Sequence, residues 1–253
     1  MLENFRKAKE PEIANLRQNG VPAPFAGSRP DFQSALQRPG IAVIAEYKRA
    51  SPSRGLICES VDVDEACAQY AAAGAAALSI LTETDWFGGK MEFIGRAAST
   101  GLPILRKDFI FDEIQVRATA ASPASALLLI VRQTPDAAAL RDLRKCAESF
   151  GMDAVAEVFD AREVEIARQS GAKIIQVNAR DLQKLQVDRA APLAVIGACG
   201  KLPGEAWIAA SGIETNAHLQ SARKAGFDAA LIGTALMRGG KPGAALRELL
   251  GRE

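Results

Sequence analysis

Six residues able to carry charge or donate strong hydrogen bonds sit where the chain otherwise reads apolar. Glu46, Lys48, Lys107, Glu157, Asn178 and Arg180 each close or follow a short hydrophobic run. Such groups are costly to bury alone, so they must be paired, hydrated or used. Glu46 and Lys48 are two residues apart and share one face of an extended strand. Lysine beside glutamate suits acid–base work: burial pushes the amine toward its neutral form and a carboxylate pushes it back. A pair balanced in this way is poised for proton transfer. A ring of structural salt bridges is the competing reading, but contributions from four different strands favour catalysis. The single histidine, His218, falls in a stretch of helical spacing and reads as a solvated helix residue. With no other imidazole there is no Ser-His-Asp triad and no histidine-based zinc site.

The elements that must position these residues recur along the whole chain. Strands are predicted at Ile41–Tyr47, Ala76–Leu81, Pro103–Arg106, Ala126–Val131, Ala154–Val158, Lys173–Val177, Ala206–Ala210 and Ala229–Ile232. Stretches of helical spacing separate them, most clearly Val61–Ala73, Thr134–Phe150, Asp160–Ser170 and Thr215–Ala225. Thr134-Pro135-Asp136 places an N-cap and a proline at one helix start. Strand–helix alternation implies a parallel sheet, and eight units imply a closed (β/α)8 barrel over an open, doubly wound sheet. The first forty residues stand outside the repeat. They hold a helix near Glu10–Arg17, a proline-rich loop and a short helix near Asp31–Gln37, expected to pack on one barrel domain spanning 1–253. In a barrel the carboxyl ends of the strands form one rim, which would bring the six polar residues to one cavity.

Length and composition agree with this architecture. The chain has 253 residues, 48% hydrophobic and 24% charged, and can bury a large core without disulfides or metals. Its 31 basic and 30 acidic residues leave a net charge of +1, and the Lys and Arg form no stripe. That excludes an electrostatic footprint for nucleic acid, so any anion must be held by a few local charges. The four cysteines are far apart without CxxC spacing, as in a reducing compartment. No apolar signal core or membrane-length run occurs, so a cytoplasmic protein without membrane attachment is expected.

Two turns complete the pattern. Ser211-Gly212-Ile213 follows the seventh strand and Gly233-Thr234-Ala235 the eighth. Loops at those places commonly hold phosphate through backbone N–H groups.

The residues around these positions resemble the indole-3-glycerol phosphate synthase family. Ile44-Ala45-Glu46-Tyr47-Lys48-Arg49-Ala50-Ser51-Pro52-Ser53-Arg54-Gly55 is similar to its signature at the first strand. Leu81-Thr82-Glu83 with Phe87-Gly88-Gly89, and Leu105 to Ile110 with Gln115, resemble its second and third loops. Glu157-Val158, Asn178 to Leu182, Ser211-Gly212-Ile213 and Ile232 to Met237 continue the match in unbroken order from Phe32 to Leu236.

The resemblance implies a barrel enzyme of tryptophan biosynthesis that needs no cofactor or metal. Its phosphorylated small-molecule substrate would be 1-(2-carboxyphenylamino)-1-deoxyribulose 5-phosphate, converted to indole-3-glycerol phosphate, carbon dioxide and water. Lys107 would be the general acid and Glu157 the base of the dehydration. Lys48 would hold the substrate carboxylate, Glu46 would orient the lysines, Asn178 would bind sugar hydroxyls and Arg180 would brace the rim. Ser51, Ser211, Gly212 and Gly233, with Ile232 alongside, would serve the phosphate end. Phe87, Phe109 and Leu182 would wall the benzoate ring. A monomer or weak oligomer is expected.

The chain departs from the family pattern at three positions. Ala210 stands before Ser211 where the family usually has glutamate, Phe159 follows Glu157-Val158 where it has histidine, and Ala179 replaces the second asparagine of a pair. Two other readings therefore stay open. A phosphoribosylanthranilate isomerase would need a cysteine base at the end of the first strand, where Glu46 and Lys48 stand. An inactive phosphate-binding barrel acting as a partner subunit would bind a product analogue without turnover.

Overall fold

The computed structural model describes residues 2–181 and 186–252. Eight parallel strands close into a barrel: β1 (Ala42–Tyr47), β2 (Ala77–Leu81), β3 (Ile104–Ile110), β4 (Ala126–Ile130), β5 (Asp153–Val158), β6 (Ile174–Asn178), β7 (Ala206–Ala210) and β8 (Ala229–Ile232). Each strand pairs with the next in the chain, and β8 closes on β1 with Ala42 opposite Ala229. The helices are α1 (Leu2–Asn19), α2 (Phe32–Leu36), α3 (Val63–Ala73), α4 (Glu92–Ala97), α5 (Glu113–Ala120), α6 (Ala137–Ser149), α7 (Ala161–Ser170), α8 (Ala190–Cys199), α9 (Asn216–Ala225), α10 (Thr234–Met237) and α11 (Pro242–Leu249).

Strand residues alternate between two cores, as a pleated strand requires. Val43, Ala45 and Tyr47 pack outward among the helices, whereas Ala42 and Ile44 fill the barrel with Leu105, Val155, Ile174 and Ile208. This phase decides which polar residues reach the interior. Glu46 follows Ile44 inward, and Glu157 follows Val155. At the opposite, amino-terminal end, Phe32 and Leu36 of α2 are fully buried in the same inner cluster and stop the barrel.

Most boundaries fall within two residues of the sequence expectation, and three differences bear on the site or on how a helix starts. β3 runs through Ile110, past its charged triplet, with an irregular register between Arg106 and Ile110. Helix α1 is twice the expected length and carries Pro11 inside it. In α6 the side chain that caps the helix is Asp136, which accepts from the Ala139 N–H at 2.8 Å, and the helix starts at Ala137, after Thr134 and Pro135.

Both charges flanking Lys107 are explained by α1. Arg106 and Asp108 are buried, and Lys9 of α1 reaches Asp108 Oδ1 at 2.7 Å. Arg106 holds Asp108 Oδ2 at 2.8 Å and Glu12 Oε1 at 3.2 Å, and donates to Thr119 Oγ1 at 2.8 Å. Thr82 donates to Asp108 as well, at 2.5 Å. Burial alone would raise the Asp108 carboxyl, but Arg106 and Lys9 hold it down at about 2. Polar groups that an apolar strand should reject are thus satisfied as a closed network.

Candidate active site

The carboxyl rim gathers the polar residues of five strands. Lys48 Nζ lies 3.5 Å from Glu46 Oε1, while Ser79 on β2 donates to Glu46 Oε2 at 3.3 Å. Gly233 lies so close to Glu46 that a Cβ there would stand 2.4 Å from Oε1. The absent side chain leaves Glu46 its place. Burial pushes the Lys48 ammonium below its ordinary value; Lys107 and Arg180 push the same way and Glu46 opposes them.

Across the barrel, Lys107 Nζ is 3.9 Å from Glu157 Oε2. The same oxygen accepts from Gln176 Nε2 at 2.5 Å. Gln115 braces the end of β3 from α5: its amide donates to the Phe109 carbonyl at 3.0 Å and accepts from the Phe111 N–H at 3.0 Å. Asn178 Oδ1 accepts from the Arg180 N–H at 3.0 Å, and the Arg180 guanidinium donates to Ser53 at 3.1 Å. Arg180 so ties the loop after β6 to the loop after β1. Burial lowers its basicity, as does nearby Arg54, against Glu46 and Glu214.

Two chambers meet at Lys107. One, about 430 Å³, is polar and strongly cationic: Lys48, Arg54, Lys107, Arg180 and Arg189 line it with the turns at Ser211 and Gly233. Ser211 and Gly212 are both left-handed, at φ 69° and 78°, and Ser211 is the one such non-glycine among the described residues. Consecutive backbone N–H groups in strained turns of this kind form anion-binding concavities. Glu214 is the local counter-charge, 2.9 Å from Arg189, 3.4 Å from Arg238 and 3.7 Å from Arg54. Ala210 and Ile232 also line this chamber, Ala210 paired with Asn178 in the sheet.

The second chamber is apolar, lined by Phe5, Leu81, Phe87, Phe109, Leu128 and Ile130, with Lys48, Lys107 and Glu157 at its inner edge. The Phe87 ring lies 5.4 Å from Lys48 Nζ. Its loop is folded around Glu83, whose carboxylate accepts from the Asp85, Trp86 and Phe87 N–H groups. Ser51 is buried on this side, and its hydroxyl has no hydrogen-bond partner among the described residues.

The structure therefore gathers Glu46, Lys48, Ser51, Phe87, Lys107, Phe109, Glu157, Asn178, Arg180, Ser211, Gly212, Ile232 and Gly233 around one double cavity. Leu182 lies outside the described residues. Phe159 lines neither chamber: it packs against the inner cluster, with the Arg132 guanidinium 4.1 Å from its ring centre. His218 is half buried in α9, its Nδ1 accepting from the Glu214 N–H at 3.3 Å, rather than freely solvated. Sequence reasoning missed Phe5, which sits in the N-terminal extension with no local signal. It also missed Gln176, although a polar side chain within the apolar run Ile174–Val177 was visible.

A closed parallel barrel with lysines, arginines and carboxylates gathered at its carboxyl rim defines a (β/α)8-barrel enzyme. A solved 3-hexulose-6-phosphate synthase shares the fold at TM-score 0.66 and 16% identity, over 83% of this chain and 99% of that one. The family model for indole-3-glycerol phosphate synthase matches residues 3–249. The indole-3-glycerol phosphate synthase of Desulfotalea psychrophila is 40% identical over 98% of both chains. Indole-3-glycerol phosphate synthase 2 of Streptomyces coelicolor is 40% identical over 94% of this chain and 90% of its own. The chain belongs to the indole-3-glycerol phosphate synthase family.

Proposed function

We propose that this rim closes the indole ring of 1-(2-carboxyphenylamino)-1-deoxyribulose 5-phosphate, with Lys107 as general acid and Glu157 as general base. The observation that carries the assignment is the junction of an apolar and a cationic chamber at Lys107, which lines both, with Glu157 of the apolar chamber 3.9 Å from it. A substrate with a benzoate ring at one end and a phosphate at the other fits that division, with its ketone at the junction.

Phosphate rests on the amides of the Ser211-Gly212 and Gly233 turns, next to Ile232, and the benzoate ring lies against Phe87 and Phe109. Lys48 faces the substrate carboxylate, Glu46 sets the position of Lys48, and Asn178 meets the sugar hydroxyls. Ring closure forms a carbon–carbon bond between the carboxyl-bearing ring carbon and the ketone carbon. Lys107 gives its proton to the ketone oxygen, which becomes a hydroxyl. The carboxylate leaves as carbon dioxide, and its bonding electrons restore the aromatic ring. Lys107 regains a proton from solvent, and Glu157 then takes a proton from the adjacent methylene carbon while the hydroxyl departs as water with the proton that Lys107 has regained. A positioned acid or base of this kind contributes about a hundredfold or more.

The N-terminal helix adds Phe5 to the ring pocket, and Arg180 keeps the loops after β1 and β6 together. The same reading takes the protein as a cytoplasmic monomer or weak oligomer that binds neither nucleic acid nor membrane. The near-zero net charge supports it, as does the lack of any described helix long and apolar enough to cross a membrane. Ala210 does not argue for an inactive barrel, because Glu46, Lys48, Lys107 and Glu157 are all in place around the cavity. The test is direct: the purified protein is given the carboxyphenylamino-deoxyribulose phosphate and indole fluorescence is followed. Growth of the signal supports the assignment; binding without turnover would favour a partner subunit instead.

A further inference from the structure

Beneath the proposed base lies a side chain with an unusual balance of contacts. Gln176 stands on β6 between Ile174, which belongs to the inner core, and Asn178 at the rim, and it pairs in the sheet with Glu157. It is fully buried. Its Nε2 donates to Glu157 Oε2 at 2.5 Å, whereas its Oε1 has no partner among the described residues. An amide oxygen buried without a donor is a cost that an apolar residue would avoid. The compensation available at this position is the bond to Glu157.

Both polar contacts of the Glu157 carboxylate fall on one oxygen. Gln176 and Lys107 meet Oε2, and Oε1 takes no hydrogen bond among the described residues. We propose that Gln176 is a positioning residue for the reaction: it clamps Oε2 of Glu157 and so reserves Oε1 as the atom that takes the substrate proton. The inference rests on Glu157 being the base. The charged groups facing this carboxylate are Lys107 from β3, then Lys48, Arg180, Asp108 and Glu83 around the same chamber, while β4 sets apolar Ile130 beside it. Gln176 is the neutral donor in that set, so its removal takes away a hydrogen bond without adding or deleting a charge.

The experiment compares the single-turnover rate against pH for the wild type, Gln176→Met, Gln176→Leu and Glu157→Gln. Methionine keeps the length and loses the donor; leucine provides a second folded variant should methionine pack poorly. Loss of a donor makes an ionised carboxylate hold its proton to higher pH. In Gln176→Met or Gln176→Leu the acidic limb moves up by about one pH unit. The maximal rate falls about tenfold or more, with KM changed little. A lower melting temperature with an unmoved acidic limb and an unchanged maximal rate would overturn the proposal and leave Gln176 a structural residue. Glu157→Gln separates the two readings. If it abolishes the acidic limb, Glu157 owns that titration and the Gln176 variants judge this inference alone. If it leaves limb and rate intact, the assignment of the base has failed, and the positioning role fails with it.

Discussion

The rings of Phe5 and Phe109 lie parallel within 10° and 4.1 Å apart, one on the first helix and the other at the end of the third strand. The wall of the apolar chamber is therefore shared between the N-terminal extension and the barrel proper. Phe5 is 2% exposed, so removing its ring opens a core cavity as well as the pocket. Phe5→Ala is expected to cost about 3 kcal/mol of stability and to raise KM more than it lowers kcat. Calorimetry and steady-state kinetics read the two effects separately; an unchanged KM would place the benzoate ring elsewhere.

Lys107→Ala is expected to lower the rate of ring closure about a hundredfold or more. In the proposed binding mode the phosphate end of the substrate touches other residues, so a non-reactive analogue is expected to bind the variant within a few-fold of the wild type. Single-turnover rates and titration calorimetry check the pair of outcomes. Near-normal turnover would remove Lys107 from the mechanism.

Ala210 lines the cationic chamber that holds Lys48, whose ammonium is already pushed down by burial and by neighbouring cations. A carboxylate added there favours the protonated amine. The basic limb of the rate profile should move to higher pH in Ala210→Glu. Superimposable profiles would show that position 210 and Lys48 are not coupled.

Gly233→Ala sets a Cβ 2.4 Å from Glu46 Oε1 and 3.1 Å from its Cδ. Glu46 must then move, and its 3.5 Å contact with Lys48 goes with it. A folded variant with reduced kcat is expected, together with weaker competition by inorganic phosphate because the same turn is disturbed. Wild-type kinetics with intact phosphate inhibition would count against both roles of the turn.

Asp108 ionises at about 2 in the folded protein against 3.8 for the free group. A depressed carboxyl stabilises the fold fully above the unfolded value, and that share is lost as pH falls from about 4 through about 2. Acid unfolding followed by circular dichroism should therefore steepen in that window, and Asp108→Asn should flatten it. Lys9→Met leaves a buried carboxylate short of one cation and is expected to cost about 3 kcal/mol.

Much of this was written in local pattern. Eight apolar runs at even spacing named the barrel, because strands covered on both faces cannot alternate with polar residues. The phase of those runs put Glu46 and Glu157 on the inner side. The triplet Arg106-Lys107-Asp108 was harder. All three look alike as charges at a strand end, yet one faces the cavity and two are neutralised by a helix about a hundred residues earlier. Long-range pairing of that sort leaves no mark in a window of ten residues. Phe5 was hidden for the same reason, whereas Gln176 was legible as a polar residue in an apolar strand and lacked only its partner.

The bond between Lys9 and Asp108 spans 99 positions of chain. Helix α1 emerges early in synthesis but has nowhere to dock until the third strand exists. Until then its lysine stays in water, and the Arg106–Asp108 pair on β3 lacks the further charges of Lys9 and Glu12. Docking of α1 and completion of β3 should thus be a single late event, one that closes a long loop and is slow for that reason. The protein would gain the position of Lys107 and its aromatic wall in the same step, so that no half-folded barrel presents a complete rim.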